Sequence, residues 1–99
     1  MVAVAGWLII PDEIAHTSLG YYAELRKLDI DLHKYYMSER MRRSVSWEEA
    51  ERDWARNHER DFDVNFKKRL PVISDRLHDF DLVSLRHQHV SELVYGVAV

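Results

Sequence analysis

Two histidines separated by one residue, His87 and His89 in the stretch LRHQHVSE, are the residues of this chain whose type and spacing most directly suggest chemistry. On a β-strand, residues two apart share a face with Cβ atoms about 6.5 to 7 Å apart, and two imidazoles so placed would grip one Zn²⁺, Ni²⁺ or Fe²⁺. On a helix they point about 200° apart and cannot hold the same ion. A catalytic metal needs at least one further ligand, and Asp75, His78, Asp79 and Asp81 are nearest in sequence. The metal set read from the sequence is therefore His87, His89, Asp79 and His78. The plainer reading makes these histidines exposed or hydrogen-bonded surface groups.

His58 poses a second choice. It falls one helical turn from Trp54 and one from Phe62, in the middle of an apolar stripe. A histidine so placed is expected to be a buried neutral ring with one hydrogen bond, to Asp29 or to a tyrosine of a facing helix. The competing reading is a general base in a cleft lined by tyrosine and tryptophan. Asp29 and His33, four residues apart, would share one helix face and could touch one ion, but the pair of Glu-x-x-His motifs of a di-metal carboxylate bundle does not occur. No GxSxG, HExxH or phosphate-cradling glycine loop accompanies these residues, and the chain has only three glycines. The absence of cysteine excludes disulfides, thiolate zinc sites and a cysteine nucleophile, and fits a cytoplasmic protein. No enzymatic motif is therefore present, and the sequence reads as non-enzymatic.

Positioning falls to a few elements. Tyr21, Leu25, Leu28, Leu32 and Tyr35 recur at spacings of four, three, four and three, which predicts a helix from Thr17 or Ser18 to the basic cluster Arg40, Arg42 and Arg43. Cations there complement the negative end of the helix dipole, and Glu39 is placed to neutralise Arg43 in part. Ser46 followed by Glu49 predicts a capping box and a second helix from Trp47 to Leu70, closed by Pro71. Two helices of about 25 residues joined at Ser44 and Val45 would fold back as an antiparallel hairpin roughly 35 Å long.

Ile73, Leu77 and Phe80 predict a shorter third helix after Pro71, and Gly96 is a possible C-cap for a helix that continues further. The run VAVAGWLII at 2–10 is too short to span a membrane and reads as a buried strand ending at Pro11. LVYGVAV at 93–99 resembles it and reads as a second strand. The expected fold is a single α+β domain over 1–99: a long antiparallel helical hairpin and a shorter third helix, with N- and C-terminal strands forming a small sheet. A two-stranded sheet and long apolar stripes would both be completed by a second copy, so a homodimer is expected.

Hydrophobic residues at 46% and charged residues at 31% are values of a chain that folds. Its 14 basic and 17 acidic residues give a net charge of −3 and are interleaved along the chain. Nucleic acid is therefore not an expected partner, because counterion release needs a concentrated basic face. A membrane is not expected either. Three tryptophans and five tyrosines favour a protein-binding surface, with Tyr22, Tyr36 and Met37 at the border of the first helical stripe and Arg40, Arg42 and Arg43 beyond it. The function expected is a small interaction or regulatory module: an adaptor, inhibitor or assembly subunit. A metal-binding protein or metal-dependent enzyme using His87 and His89 is the alternative.

Overall fold

The computed structural model describes residues 16–97. It contains four α-helices, α1 (Ser18–Met41), α2 (Trp47–Asn57), α3 (Glu59–Leu77) and α4 (His87–Leu93), with a 3-10 turn at Leu82–Ser84. There is no strand among the described residues. The expected α+β fold with a small sheet is thus corrected to an all-helical one. Leu93 closes α4, and Val94 and Tyr95 continue as a turn, not as a strand. The first expected strand, at 2–10, lies outside the described residues.

The start of α1 follows from its cap: the Thr17 hydroxyl accepts the Gly20 N–H at 3.3 Å. Its end is less ordinary. Arg42 sits in the left-handed region at φ 56°, and its N–H closes on the Ser38 carbonyl. Ser46 caps α2 by accepting the Glu49 N–H at 3.1 Å. Glu49 does not reach back to complete the expected box. Its carboxylate is taken by the Arg43 guanidinium through two hydrogen bonds, at 3.1 and 2.7 Å. Glu39, the partner expected for Arg43, instead accepts from the Tyr35 hydroxyl.

The hairpin pairs in antiparallel sense, since partners on the second arm descend in number as those on α1 ascend. Tyr22 meets Asp63, Arg26 meets Glu59, Asp29 meets Trp54, and Ser38 receives the N–H of Val45. The second arm is not one helix, however. It breaks at His58 (φ −130°, ψ −20°) into α2 and α3. A continuous helix would place His58 on the stripe between Trp54 and Phe62 and draw the imidazole into the core with them. The break instead lets Trp54 and Phe62 bury fully, edge to face at 5.5 Å, while His58 stays exposed. Removing a polar ring from an apolar interior avoids a desolvation cost of about 1–3 kcal/mol. Glu59 and Asp61 in the first turn of α3 suit the new helix start.

The second correction concerns Pro71, which does not end a helix. Phe62, Phe66, Ile73 and Leu77 form one buried row on both sides of it, and α3 runs through to Leu77. Pro71 is exposed, so the carbonyl deprived of its N–H partner faces solvent. The third helix expected after Pro71 is therefore the end of α3. On α1, Tyr21 and Leu25 are buried as expected, whereas Tyr35 is exposed and the burial passes to Ile30 and Met37.

α1 packs against all three other helices, and α4 also packs against α3. Arg69 fixes α4 to α3, donating from Nε to the Leu93 carbonyl at 2.7 Å and from Nη2 to the Glu92 carbonyl at 3.2 Å. Gly96 then turns the chain at φ 67°. A Cβ there would lie 2.9 Å from Arg69 Nη1. Gly96→Ala is expected to lower stability by about 1–2 kcal/mol. Chemical denaturation would show this as a lower midpoint at unchanged slope.

Candidate functional site

His87 and His89 lie in the first turn of α4, so the two rings diverge. His87 Nε2 meets Asp31 Oδ2 of α1 at 2.8 Å, while His89 Nδ1 accepts the Arg86 N–H at 2.8 Å and its ring lies against Phe80. His78 is bonded to the Asp75 carbonyl and to the Asp79 carboxylate. The structure does not bring His87, His89, Asp79 and His78 together. No group of three or more potential ligands able to hold an ion occurs among the described residues.

What it does bring together is a different set, at the break between α2 and α3. An open cleft of about 240 Å³ is lined by Asp29, Leu32, His33 and Tyr36 from α1, Trp54 and His58 from the second arm, and Tyr95 beyond α4. Asp29 and His33 share a face of α1 as their spacing predicts, and His58 reaches them because it is the residue at which the arm bends. The buried ring expected for His58 is thereby corrected: it is exposed, with its edge-to-face contact on His33 at 4.7 Å.

Two carboxylates organise this cleft. Asp53 Oδ2 accepts from His33 Nε2 at 2.7 Å, and Asn57 donates to Asp53 Oδ1 at 3.2 Å. The His33 hydrogen bond, outweighing partial burial, holds the Asp53 carboxyl below its ordinary range. Asp29 Oδ2 accepts two neutral donors, Trp54 Nε1–H at 2.9 Å and the Tyr95 hydroxyl at 3.0 Å. Burial, followed by the charge of Asp29, pushes the Tyr95 phenol well up. Arg26 holds the two halves of the arm in place behind them. Its guanidinium bonds Glu51 of α2 at 3.3 Å and Glu59 of α3 at 3.4 Å and lies 4.9 Å over the Trp54 ring. The cleft lining carries no serine, threonine, cysteine or lysine. Its polar groups are one carboxylate, two imidazoles, two phenols and an indole N–H.

The residues expected to make contacts divide. Met37 is a core residue, and Tyr22 is half-buried, its hydroxyl on Asp63 at 2.6 Å and its ring against Phe62 and Phe66. Arg43 is occupied by Glu49. Tyr36, Arg40 and Arg42 are exposed, and so are Tyr35 and Met41 beside them. A larger recess of about 360 Å³ next to Leu19, Tyr22 and Phe66 contains no convergent chemistry beyond the satisfied Tyr22–Asp63 bond. No helix among the described residues is long and apolar enough to cross a membrane. No protein-family model, curated protein or solved structure matches the chain.

Two pH dependences follow. Asp53 has a folded value below its ordinary 3.8, so it adds stability that is present above that value and lost as pH falls through the folded one. Asp53→Asn should flatten the acid side of a stability–pH profile measured by urea unfolding. Tyr22 is raised from 10.0 to about 12, by burial first and then by its bond to Asp63. Between these values the unfolded phenol has lost a proton that the folded one keeps, so stability falls as pH rises. Tyr22→Phe should reduce that alkaline slope.

Proposed function

We propose that this chain is a small helical protein-interaction module, an adaptor, inhibitor or assembly subunit, that binds its partner with the C-terminal end of α1. The observation that carries the proposal is the set of side chains displayed there. Tyr35 and Tyr36 are each 54% exposed with their rings 5.6 Å apart, Met41 is 44% exposed, and Arg40 and Arg42 have no ion pair among the described residues. Aromatic residues, methionine and arginine are the types enriched at protein interfaces. Large apolar groups clustered in water at one end of a helix favour a partner that covers them.

Arg42 supports the same reading. A non-glycine residue in the left-handed region costs about 1–2 kcal/mol, which glycine at this helix end would avoid. The arginine is held in a strained position with its charge in solvent, and strain retained at an exposed charge is a feature of contact sites. An acidic, partly apolar surface complements this end of the molecule. The homodimer expected from the sequence has this patch as its remaining basis, because no sheet edge lies among the described residues. Absence of cysteine is the support for a cytoplasmic setting.

A photo-crosslinking residue at position 36, compared with one at exposed Val64 on α3, tests the proposal in cells of the source. A defined adduct at 36, lost in the Arg40→Glu, Arg42→Glu double variant, is the expected result. An adduct of twice the chain's mass, with matching light scattering, identifies the partner as a second copy. Equal labelling at positions 36 and 64 would refute the interface. Arg42→Gly should raise stability by about 1 kcal/mol and weaken the adduct, separating fold from contact.

A further inference from the structure

Asp29 has an unusual set of partners. Both of its hydrogen bonds come from neutral donors and both fall on Oδ2, while Oδ1 has no hydrogen bond to a described residue and no cation pairs with the carboxylate among them. The nearby guanidinium, Arg26, is committed to Glu51 and Glu59. The Asp29 carboxylate is half-buried at an open cleft, so a cation can reach its Oδ1 from solvent. Trp54, itself buried, and Tyr95 fix its orientation, so the site is set before any ligand arrives.

The surroundings suit one class of ligand. Leu32 and the ring of Tyr36 offer apolar contact for methylene groups, and the imidazoles of His33 and His58, edge to face at 4.7 Å, make a further wall. The volume, about 240 Å³, is below that of pockets for drug-sized ligands but accepts a short alkyl chain. We propose that this cleft binds a primary alkylammonium group, the ion seated on Asp29 and its chain lying against Leu32 and Tyr36. The same chemistry is found at the end of a free aliphatic diamine and at the tip of a lysine side chain. This proposal is independent of the interface assigned to the end of α1, although Tyr36 borders both.

NMR titration of the full chain with cadaverine, with a lysine-bearing peptide and with its acetyl-lysine counterpart tests it. Saturable shifts at Asp29, Tyr36 and His58 with cadaverine or the lysine peptide, and none with the acetylated peptide, are expected. Response to the diamine alone assigns a small-molecule ligand; response to the peptide alone assigns a protein side chain. Asp29→Asn keeps an oxygen for Trp54 and Tyr95 but removes the charge, and should weaken binding about tenfold, equivalent to about 1.4 kcal/mol. Tyr36→Ala, outside the core, should weaken it severalfold and serves if the Asn variant does not fold. Undiminished binding by a folded variant, equal binding of 1,5-pentanediol, or no saturable shift with either amine would overturn the proposal.

Discussion

Trp54 and Phe62 both have to leave water, and the histidine midway between them does not. In an unbroken helix the three positions lie along one stripe, and burying the outer two carries the middle one inward. The chain resolves the conflict by ending α2 at Asn57 and restarting at Glu59, so that two rings close on each other while the third turns outward. The other features of the second arm follow from that bend. Arg26 reaches a carboxylate on each side of it, His58 meets His33, and a cleft opens where a straight arm would leave a packed seam. The imidazole is thus at once the reason for the discontinuity and a wall of the cavity the discontinuity creates.

Local signals were readable where chemistry is local. The Thr17 and Ser46 caps, the antiparallel pairing of the two arms and the kinship of Asp29 and His33 all follow from spacing and hydrogen-bonding type. The extent of the second arm was not. Proline suggested a boundary at 71, yet the apolar row Phe62, Phe66, Ile73 and Leu77 runs past it, and a helix can omit one hydrogen bond on its wet side when the buried row continues. That row was visible in the sequence and outweighed the proline. Conversely, NHER contains no glycine or proline to mark a break; its one signal is a polar ring, His58, between Trp54 and Phe62 on the apolar stripe.

The cleft was only half legible for the same reason. Asp29, His33 and His58 are linked by spacing and residue type in the sequence, but Tyr95 is not, since it lies 66 residues from the carboxylate it bonds. Valine alternating with small residues at 96–99 favours a strand over 93–99, whereas the structure uses Leu93 and Val94 to bury the end of α4 and Gly96 to turn the chain. The conspicuous HQH motif, by contrast, is structural in use: one ring ties α4 to Asp31 of α1 and the other receives the Arg86 N–H at the start of α4. Conspicuous spacing and convergent geometry proved to be different things here.

One oxygen of Asp29 joins residues 25 and 66 positions further along the chain. The two attachments do different things: the indole bond ties the helical arms together, and the phenol bond brings the segment beyond α4 back onto α1. Losing the Tyr95 hydroxyl would therefore free the wall beyond α4 while the two arms stayed joined at the Trp54 indole.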